Sequence, residues 1–235
     1  MRPQIETVAE TGSTNDDMMM RARAGAAEGL WLRAERQTSG RGRQGRVWTS
    51  DPGNLSASTL VRLRAGDPPA PTLALVAAVA LHEALAVAVP GLAVRIKWPN
   101  DLMVGDAKLS GILLERQADA VVVGFGVNLR TAPNLPDRPT VAVTGLIGAA
   151  PEPGAFVDIL AELFAAWVAT WRSAGLRPVR ERWLMHAHPV GTGVRVRLGD
   201  GFIDGLFDGL SPDGSLLLRT NVGVRAVHAG DVSLL

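Results

Sequence analysis

The sequence contains no cysteine, which excludes disulfides, thiolate nucleophiles and cysteine-ligated metals outright. Histidine is scarce: His82, His186, His188 and His228 are scattered, and only the His186-x-His188 pair has metal-ligand spacing. Lysine is scarcer still. Of 24 basic residues only Lys97 and Lys108 are lysine, and the other 22 are arginine. Net charge is also small, +1 over 235 residues, so no global field draws the chain to nucleic acid or to a membrane. The N-terminal MRPQIETVAE lacks the apolar run of a signal peptide. The longest apolar run, Leu73 to Val89, is interrupted by His82 and Glu83 and closed by Pro90. It reads as a buried helix, since a membrane span needs about 20 apolar residues without charges. A soluble, cytoplasmic globular protein is the expectation, and 47% hydrophobic residues suit a packed core.

The periodicity predicts an α+β fold, with a mixed, mainly antiparallel sheet packed by helices on one side. Strands are expected at Ile5–Ala9, Leu30–Glu35, Leu55–Leu63, Val94–Lys97, Asp101–Val104, Lys108–Glu115 and Ala120–Val127. Helices are expected after a Thr11 or Ser13 cap, from Pro71 to about Val89, at Phe156–Trp171 and at Pro178–Met185. A proline-rich loop covers Thr131–Pro139. Beyond Pro189 the texture changes to short β-prone runs (193–198, 202–210, 215–220, 224–229) separated by Gly-Asp and Pro-Asp-Gly turns. Such spacing predicts a small β-barrel, too short to bury a strong core alone and so packed on the first domain. The boundary falls between domains 1–188 and 189–235.

Four segments carry chemistry. The loop Ser39-Gly-Arg-Gly-Arg-Gln-Gly-Arg46 sits in a window, Arg33–Arg46, with five arginines against one acid, Glu35. Its glycines, Gly40, Gly42 and Gly45, permit left-handed backbone and close approach, and Arg41, Arg43 and Arg46 can fork onto carboxylate or phosphate. It is no Walker loop, lacking that spacing. Anion binding, nucleic-acid contact and a solvated loop all remain open here. In the second segment, Trp98-Pro99-Asn100-Asp101 precedes a strand, and Gly105-Asp106 signals a type II′ hairpin turn. That turn brings Lys108 level with Met103, from where it could face the same pocket as Asp101. A compact ammonium fits where a guanidinium fork does not, and can neutralise a carboxylate and a phosphate brought together. The third segment, Gly124-Phe-Gly-Val-Asn128, suggests a core strand thinned for close ligand approach, or a simple strand bend. The fourth, Gly12-Ser13-Thr14-Asn15, offers a helix cap plus small hydrogen-bonding side chains able to grip a neutral polar head group.

In this order (STN, QTSGRGRQGRVW, KWPND with KLSGILLE, GFGVN, then a barrel) the segments resemble the biotin protein ligase family over nearly the whole chain. The resemblance implies a class II synthetase-like catalytic fold, a C-terminal SH3-like barrel, and a two-step reaction. Biotin's carboxylate attacks the α-phosphorus of Mg-ATP to give biotinyl-5′-adenylate and pyrophosphate. A lysine of a biotin carboxyl carrier domain, that of acetyl-CoA carboxylase, then displaces AMP. By the same resemblance, Ser13, Thr14, Asn15 and Gln37 surround biotin's ureido ring, and Gly40, Arg41, Gly42, Arg43 and Gly111 complete the biotin site. Arg43, Arg46, Trp48, Asn100 and Asn128 border the nucleotide, Lys108 holds carboxylate and α-phosphate, and Lys108, Arg43 and Asp101 are the catalytic candidates. Asp101 is the candidate acceptor or orienting group for the incoming lysine, and Mg²⁺ would come with ATP near Asp101 rather than in a protein cage. STN at residue 13 leaves no room for the helix-turn-helix domain of some members, so the resemblance is to the ligase-only form, monomer or homodimer, without DNA or membrane partners. Phe125 stands where a smaller aliphatic residue is common in the family. The alternatives are a lipoate or octanoate ligase or transferase of related fold, and a non-enzymatic nucleic-acid-binding protein using Arg41–Arg46.

Overall fold

The computed structural model describes residues 3–136, 138–199 and 201–235. Asp137, within the proline-rich loop, and Asp200, of an expected Gly-Asp turn, lie outside them. In chain order the elements are β1 (Gln4–Thr11), α1 (Thr14–Arg23), β2 (Leu30–Gln37), β3 (Leu55–Arg62), α2 (Leu73–Ala88), β4 (Val94–Lys97), β5 (Asp101–Val104), β6 (Ala107–Gln117) and β7 (Ala120–Val127). They continue with α3 (Val143–Ile147), α4 (Pro153–Ala174), α5 (Leu176–His186), β8 (Gly193–Leu198), β9 (Gly201–Leu210), β10 (Leu216–Thr220), β11 (Gly223–Val227) and β12 (Asp231–Leu234). The expected elements are present with ends moved by a few residues; α3 and β12 were not foreseen.

Strands β1 to β7 form one seven-stranded sheet in the order β1-β2-β3-β7-β6-β5-β4. Only the β1–β2 pair is parallel among its ladders. The side-chain alternation of β7 explains how the sheet is covered. Val121, Val123, Phe125 and Val127 enter the larger core, whereas Ala120 and Val122 join a smaller cluster with Met18 and Ala22 of α1. Helix α1 therefore lies on the opposite face from α2, α4 and α5, which corrects the expectation of helices on one side. The reason is that β3 and β7 carry apolar residues on both faces at one end. Beyond α1 the same face carries Ser56, Ser58, Gly124 and Gly126, and this part is left for the site.

On the larger-core side, α2 is buried nearly all round, as its uninterrupted Leu/Ala/Val sequence demands. Helix α4 presents Phe156, Leu160, Phe164, Val168 and Trp171 along one stripe. Phe164 meets Trp31 and Phe125 edge-on, with centroids 5.8 and 5.7 Å away, and those two rings stack at 5.4 Å. Truncating such a buried phenylalanine costs about 3–5 kcal/mol. The helical run Ala70–Ala88, which includes α2, and helix α4 have the length and apolarity of membrane spans, but both pack into the core.

Strands β8 to β12 form a second, antiparallel sheet of five strands in the order β11-β10-β9-β8-β12, which fits an SH3-like domain. It does not stand apart: Phe207, Leu216 and Val232 belong to the same hydrophobic cluster as the large sheet's core. Trp98 Nε1 donates to the Gly214 carbonyl at 3.2 Å and Arg180 to the Leu210 carbonyl at 2.9 Å.

His82 of α2 stacks on His186 at the end of α5, ring centroids 3.9 Å apart, and its Nε2 lies 3.2 Å from the Val94 carbonyl. Burial, then the neighbouring His186, lowers its pKa to about 4, so it is neutral in the fold at pH 7. Unfolded histidine takes a proton below about 6.5. Stability is thus full above pH 6.5 and is lost as pH falls towards 4, because the unfolded chain binds the proton first. Between pH 7 and 5 this histidine should remove about 1–2 kcal/mol of unfolding free energy. Urea denaturation at the two pH values checks it: His82→Leu should lose less stability than the parent on acidification, and an unchanged loss would contradict this.

Candidate functional site

Fourteen of the fifteen sequence-predicted site residues (Ser13, Thr14, Asn15, Gln37, Arg41, Gly42, Arg43, Arg46, Trp48, Asn100, Asp101, Lys108, Gly111 and Asn128) line one cleft of about 230 Å³.

 The fifteenth, Gly40, lies beneath it, where a Cβ would overlap the Trp48 carbonyl. Beside them stand residues that the sequence did not single out, Lys97 apart: Asp231, Val232 and Ser233 of β12 also line the cleft.

The floor is built from the thinned face of β7. A Cβ on Gly124 would overlap Asn15 Oδ1, and one on Gly126 would overlap the Trp48 indole. The two glycines therefore make room for this chain's own side chains, which replaces the expectation that they admit a ligand directly. Phe125 between them points the other way, into the core.

At the start of α1 the small residues divide their tasks. Ser13 is the helix cap, its Oγ accepting from Asp16 N at 3.5 Å. Thr14 donates from N and from Oγ1 to Gln37 Oε1, at 2.8 and 3.0 Å. Asn15 Oδ1 lies 2.6 Å from Ser58 Oγ, which is fully buried on β3.

The arginine loop folds as a tight hairpin. Gly42 N donates to the Arg46 carbonyl at 2.7 Å, and Trp48 N to the Gly40 carbonyl at 2.9 Å. Of the three glycines only Gly45 takes a positive φ, 72°, while Gln44 takes one, 57°, without being glycine. All three guanidinium groups turn onto carboxylates of the chain. Arg41 pairs with Asp16, and Arg46 with Asp231. Arg43 lies 3.4 Å from Asp231 Oδ1 and donates to Asn100 Oδ1 and to the Gly230 carbonyl, each at 3.1 Å. Each guanidinium of the loop is thus held by an acid of the same chain.

Opposite the loop, Gly105 alone takes a positive φ at the β5–β6 turn, as type II′ geometry requires. Lys108 pairs with Met103 as expected, and a bulge follows, because Ser110 then pairs with Leu102. Lys108 Nζ lies 2.6 Å from Asp101 Oδ1, and Lys97 Nζ 3.2 Å from Asp101 Oδ2. The only two lysines of the sequence thus share one buried carboxylate. Burial alone would raise the pKa of Asp101, but Lys108 and Lys97 outweigh it and hold the carboxyl below its usual range. Burial pushes the Lys108 ammonium below the usual lysine value, against the pull of Asp101. A carboxylate stabilised in its ionised form by two ammoniums is a weak proton acceptor. Lys97 also donates to the Val232 carbonyl at 2.8 Å, tying β12 to the site. Lys108 Nζ lies 5.7 Å from the centroid of the Trp48 ring. Asn100 Nδ2 donates to the Ile112 carbonyl at 2.7 Å, so it fastens the WPND corner to β6. Asn128 donates its backbone N–H to the Leu109 carbonyl at 3.0 Å and its side-chain Nδ2 to the Lys108 carbonyl at 3.5 Å, beside the cleft.

Residues 13–129 match the model of the biotin/lipoate A/B protein ligase family, and residues 190–235 that of the biotin protein ligase C-terminal domain. A biotin--[acetyl-CoA-carboxylase] ligase of Paracoccus denitrificans is 37% identical, covering 96% of this chain and 98% of that one. The chain belongs to the biotin protein ligase family. A second relative of this family, a biotin--[acetyl-CoA-carboxylase] ligase of Mycobacterium tuberculosis, is 34% identical over 97% of this chain and 88% of its own length. Among solved structures, the biotin protein ligase from Aquifex aeolicus in complex with biotin and ATP superposes with a TM-score of 0.88. It is 26% identical, with 99% of this chain and 98% of that one covered.

The residue of this ligase-family chain that sequence reasoning missed most plainly is Asp231. No motif surrounds it, and the signal that could have found it is indirect: an unpaired cluster of arginines near a pocket calls for an acid from elsewhere in the fold. Its two ion pairs are partly solvated, so each is worth about 1 kcal/mol or less. Asp231→Asn should therefore raise the rate of tryptic cleavage after Arg43 and Arg46 by roughly two- to fivefold. Limited proteolysis followed by mass spectrometry measures this, and an unchanged rate would mean that Asp231 does not hold the loop.

Proposed function

We propose that this enzyme is an ATP-dependent biotin protein ligase that forms biotinyl-5′-adenylate and then transfers biotin to a lysine of a biotin carboxyl carrier domain, that of acetyl-CoA carboxylase. The observation that carries the reading is the buried Lys108–Asp101–Lys97 cluster facing an arginine hairpin across one cleft. Relatives and superposable structures that bear the name biotin ligase support it over the lipoate alternative.

In the first step a carboxylate must approach a phosphate, and both are anions. Lys108, a compact charge beside both groups, would offset their repulsion and the charge that develops on the α-phosphoryl oxygens. Asp101 would hold Lys108 and Lys97 at the cleft, an orienting role that suits a carboxyl with a lowered pKa better than proton abstraction. Thr14, Asn15 and Gln37 would take biotin's ureido ring, with Ser13 starting the helix that carries Thr14 and Asn15 and Gln37 ending β2. Gly40, Arg41, Gly42 and Gly111 would shape that end of the cleft, and Arg43, Arg46, Trp48, Asn100 and Asn128 would border the nucleotide. The mixed anhydride is labile to water, so a hairpin that closes over it protects the intermediate. In the second step the carrier amine attacks the acyl carbon, the amide forms and AMP leaves. No group of three or more His, Asp or Glu among the described residues could hold a metal, and both Asp101 oxygens face ammoniums. Mg²⁺ would come with the ATP phosphates rather than in a dedicated protein cage. We also propose the division into a catalytic domain, 1–188, and a C-terminal domain, 189–235, the latter supplying Asp231 to the cleft.

Purified protein given ATP, Mg²⁺ and a carrier domain should label the carrier with biotin and not with lipoate; lipoylation without biotinylation would overturn the proposal. Lys108→Arg keeps charge and loses shape. Pyrophosphate release should slow by roughly 100-fold or more, whereas near-normal turnover would show that a compact ammonium is not needed.

A further inference from the structure

Glu115 on β6 has no role in the chemistry above, yet it touches two parts of the cleft at once. Its Oε2 accepts from Nδ2 of the buried Asn15 at 2.8 Å. Arg41 Nη2, from the arginine hairpin, lies 3.1 Å from Oε1 and 3.3 Å from Oε2. The same guanidinium pairs with Asp16, one residue beyond Asn15. Glu115 thus joins α1 to the hairpin across the sheet.

The Asn15 amide has one sensible orientation. Its oxygen faces Ser58 Oγ at 2.6 Å, and its nitrogen faces a carboxylate, which accepts and does not donate. Turning the amide over would set its oxygen against the Glu115 oxygens. Gly124 lies so close beneath it that even a methyl group there would overlap Oδ1, so the side chain has no downward escape. Each end of the amide keeps one further bond available, an N–H and a lone pair. These complement the carbonyl and N–H of a cyclic urea.

We infer that Glu115 is a positioning residue that couples the orientation of the Asn15 amide to closure of the Arg41 hairpin over it. The inference rests on the ligase reading above. A ligand that engages Asn15 meets an amide already set by Glu115, and the same carboxylate draws Arg41 down on that side of the cleft. Head-group recognition and loop closure then share one residue.

Two substitutions separate the two contacts. In Glu115→Gln the side-chain oxygen can still accept from Asn15, but Arg41 loses one of its two charged partners and keeps Asp16; in Glu115→Ala both Glu115 contacts go. Steady-state kinetics and the dissociation rate of preformed biotinyl-adenylate are measured for each. Glu115→Ala should raise KM for biotin roughly tenfold or more, with a smaller change in kcat. Glu115→Gln should keep KM within about threefold while releasing adenylate up to about fivefold faster. Arg41→Ala combined with Glu115→Gln should release adenylate little faster than Arg41→Ala alone, since they remove one contact. Equal effects of Gln and Ala on KM, or additive effects on release, would overturn the inference and leave a merely structural carboxylate. The Gln variant and the double mutant decide the matter even if the Ala variant misfolds. A parent protein that forms no biotinyl-adenylate would overturn the ligase reading itself, an outcome distinct from an active parent with indifferent Glu115 variants.

Discussion

The two-residue period of β7 is the constraint on which the rest of the molecule depends. One set of its side chains, Val121, Val123, Phe125 and Val127, anchors the larger core. The other set passes from Ala120 and Val122 under α1 to Gly124 and Gly126 under Asn15 and Trp48. A single strand thus carries a core on one side and, on the other, first a helix dock and then a cleft floor. Slipping the register by one residue would send glycines into the core and valines into the cleft.

Above that floor the electrostatics are arranged in two opposed groups. Asp101 lies buried between two ammoniums, and Asp231 lies between two guanidinium groups of the hairpin. The first is a fixed cluster, because desolvated charges separated from their partners are strongly penalised. The second is more exposed and correspondingly weaker. The difference suits their places: the lysines stand on paired strands, and the arginines on a short loop at the cleft.

Much of this was legible in the sequence because the relevant signals are local. Strand alternation, the Gly105 turn and proline-led helices place elements from a few neighbouring residues. The scarcity of lysine drew attention to Lys97 and Lys108, and the turn then set Lys108 opposite Met103. What the sequence did not disclose depends on distant partners. Gly124 and Gly126 looked like room for a ligand, but what fills that room is Asn15 and Trp48, which are far away in the chain. The loop's glycines looked equally permissive, yet Gln44 takes a left-handed conformation while Gly40 is needed for its lack of a side chain. Asp231 sits in ordinary strand sequence and Glu115 ends the KLSGILLE run, yet only folding shows which arginines they meet. The position of α1 on the opposite face was missed for the same reason: its apolar stripe does not say which side of the sheet it will cover.

The cleft is assembled from segments as far apart as Ser13 and Asp231. During synthesis, the floor and the lysine cluster leave the ribosome well before β12 does. A partly made chain would therefore have the cleft floor and the lysine cluster without the carboxylate that pairs with Arg43 and Arg46. Vectorial folding in this order ties a settled arginine hairpin to a chain whose second sheet has already docked.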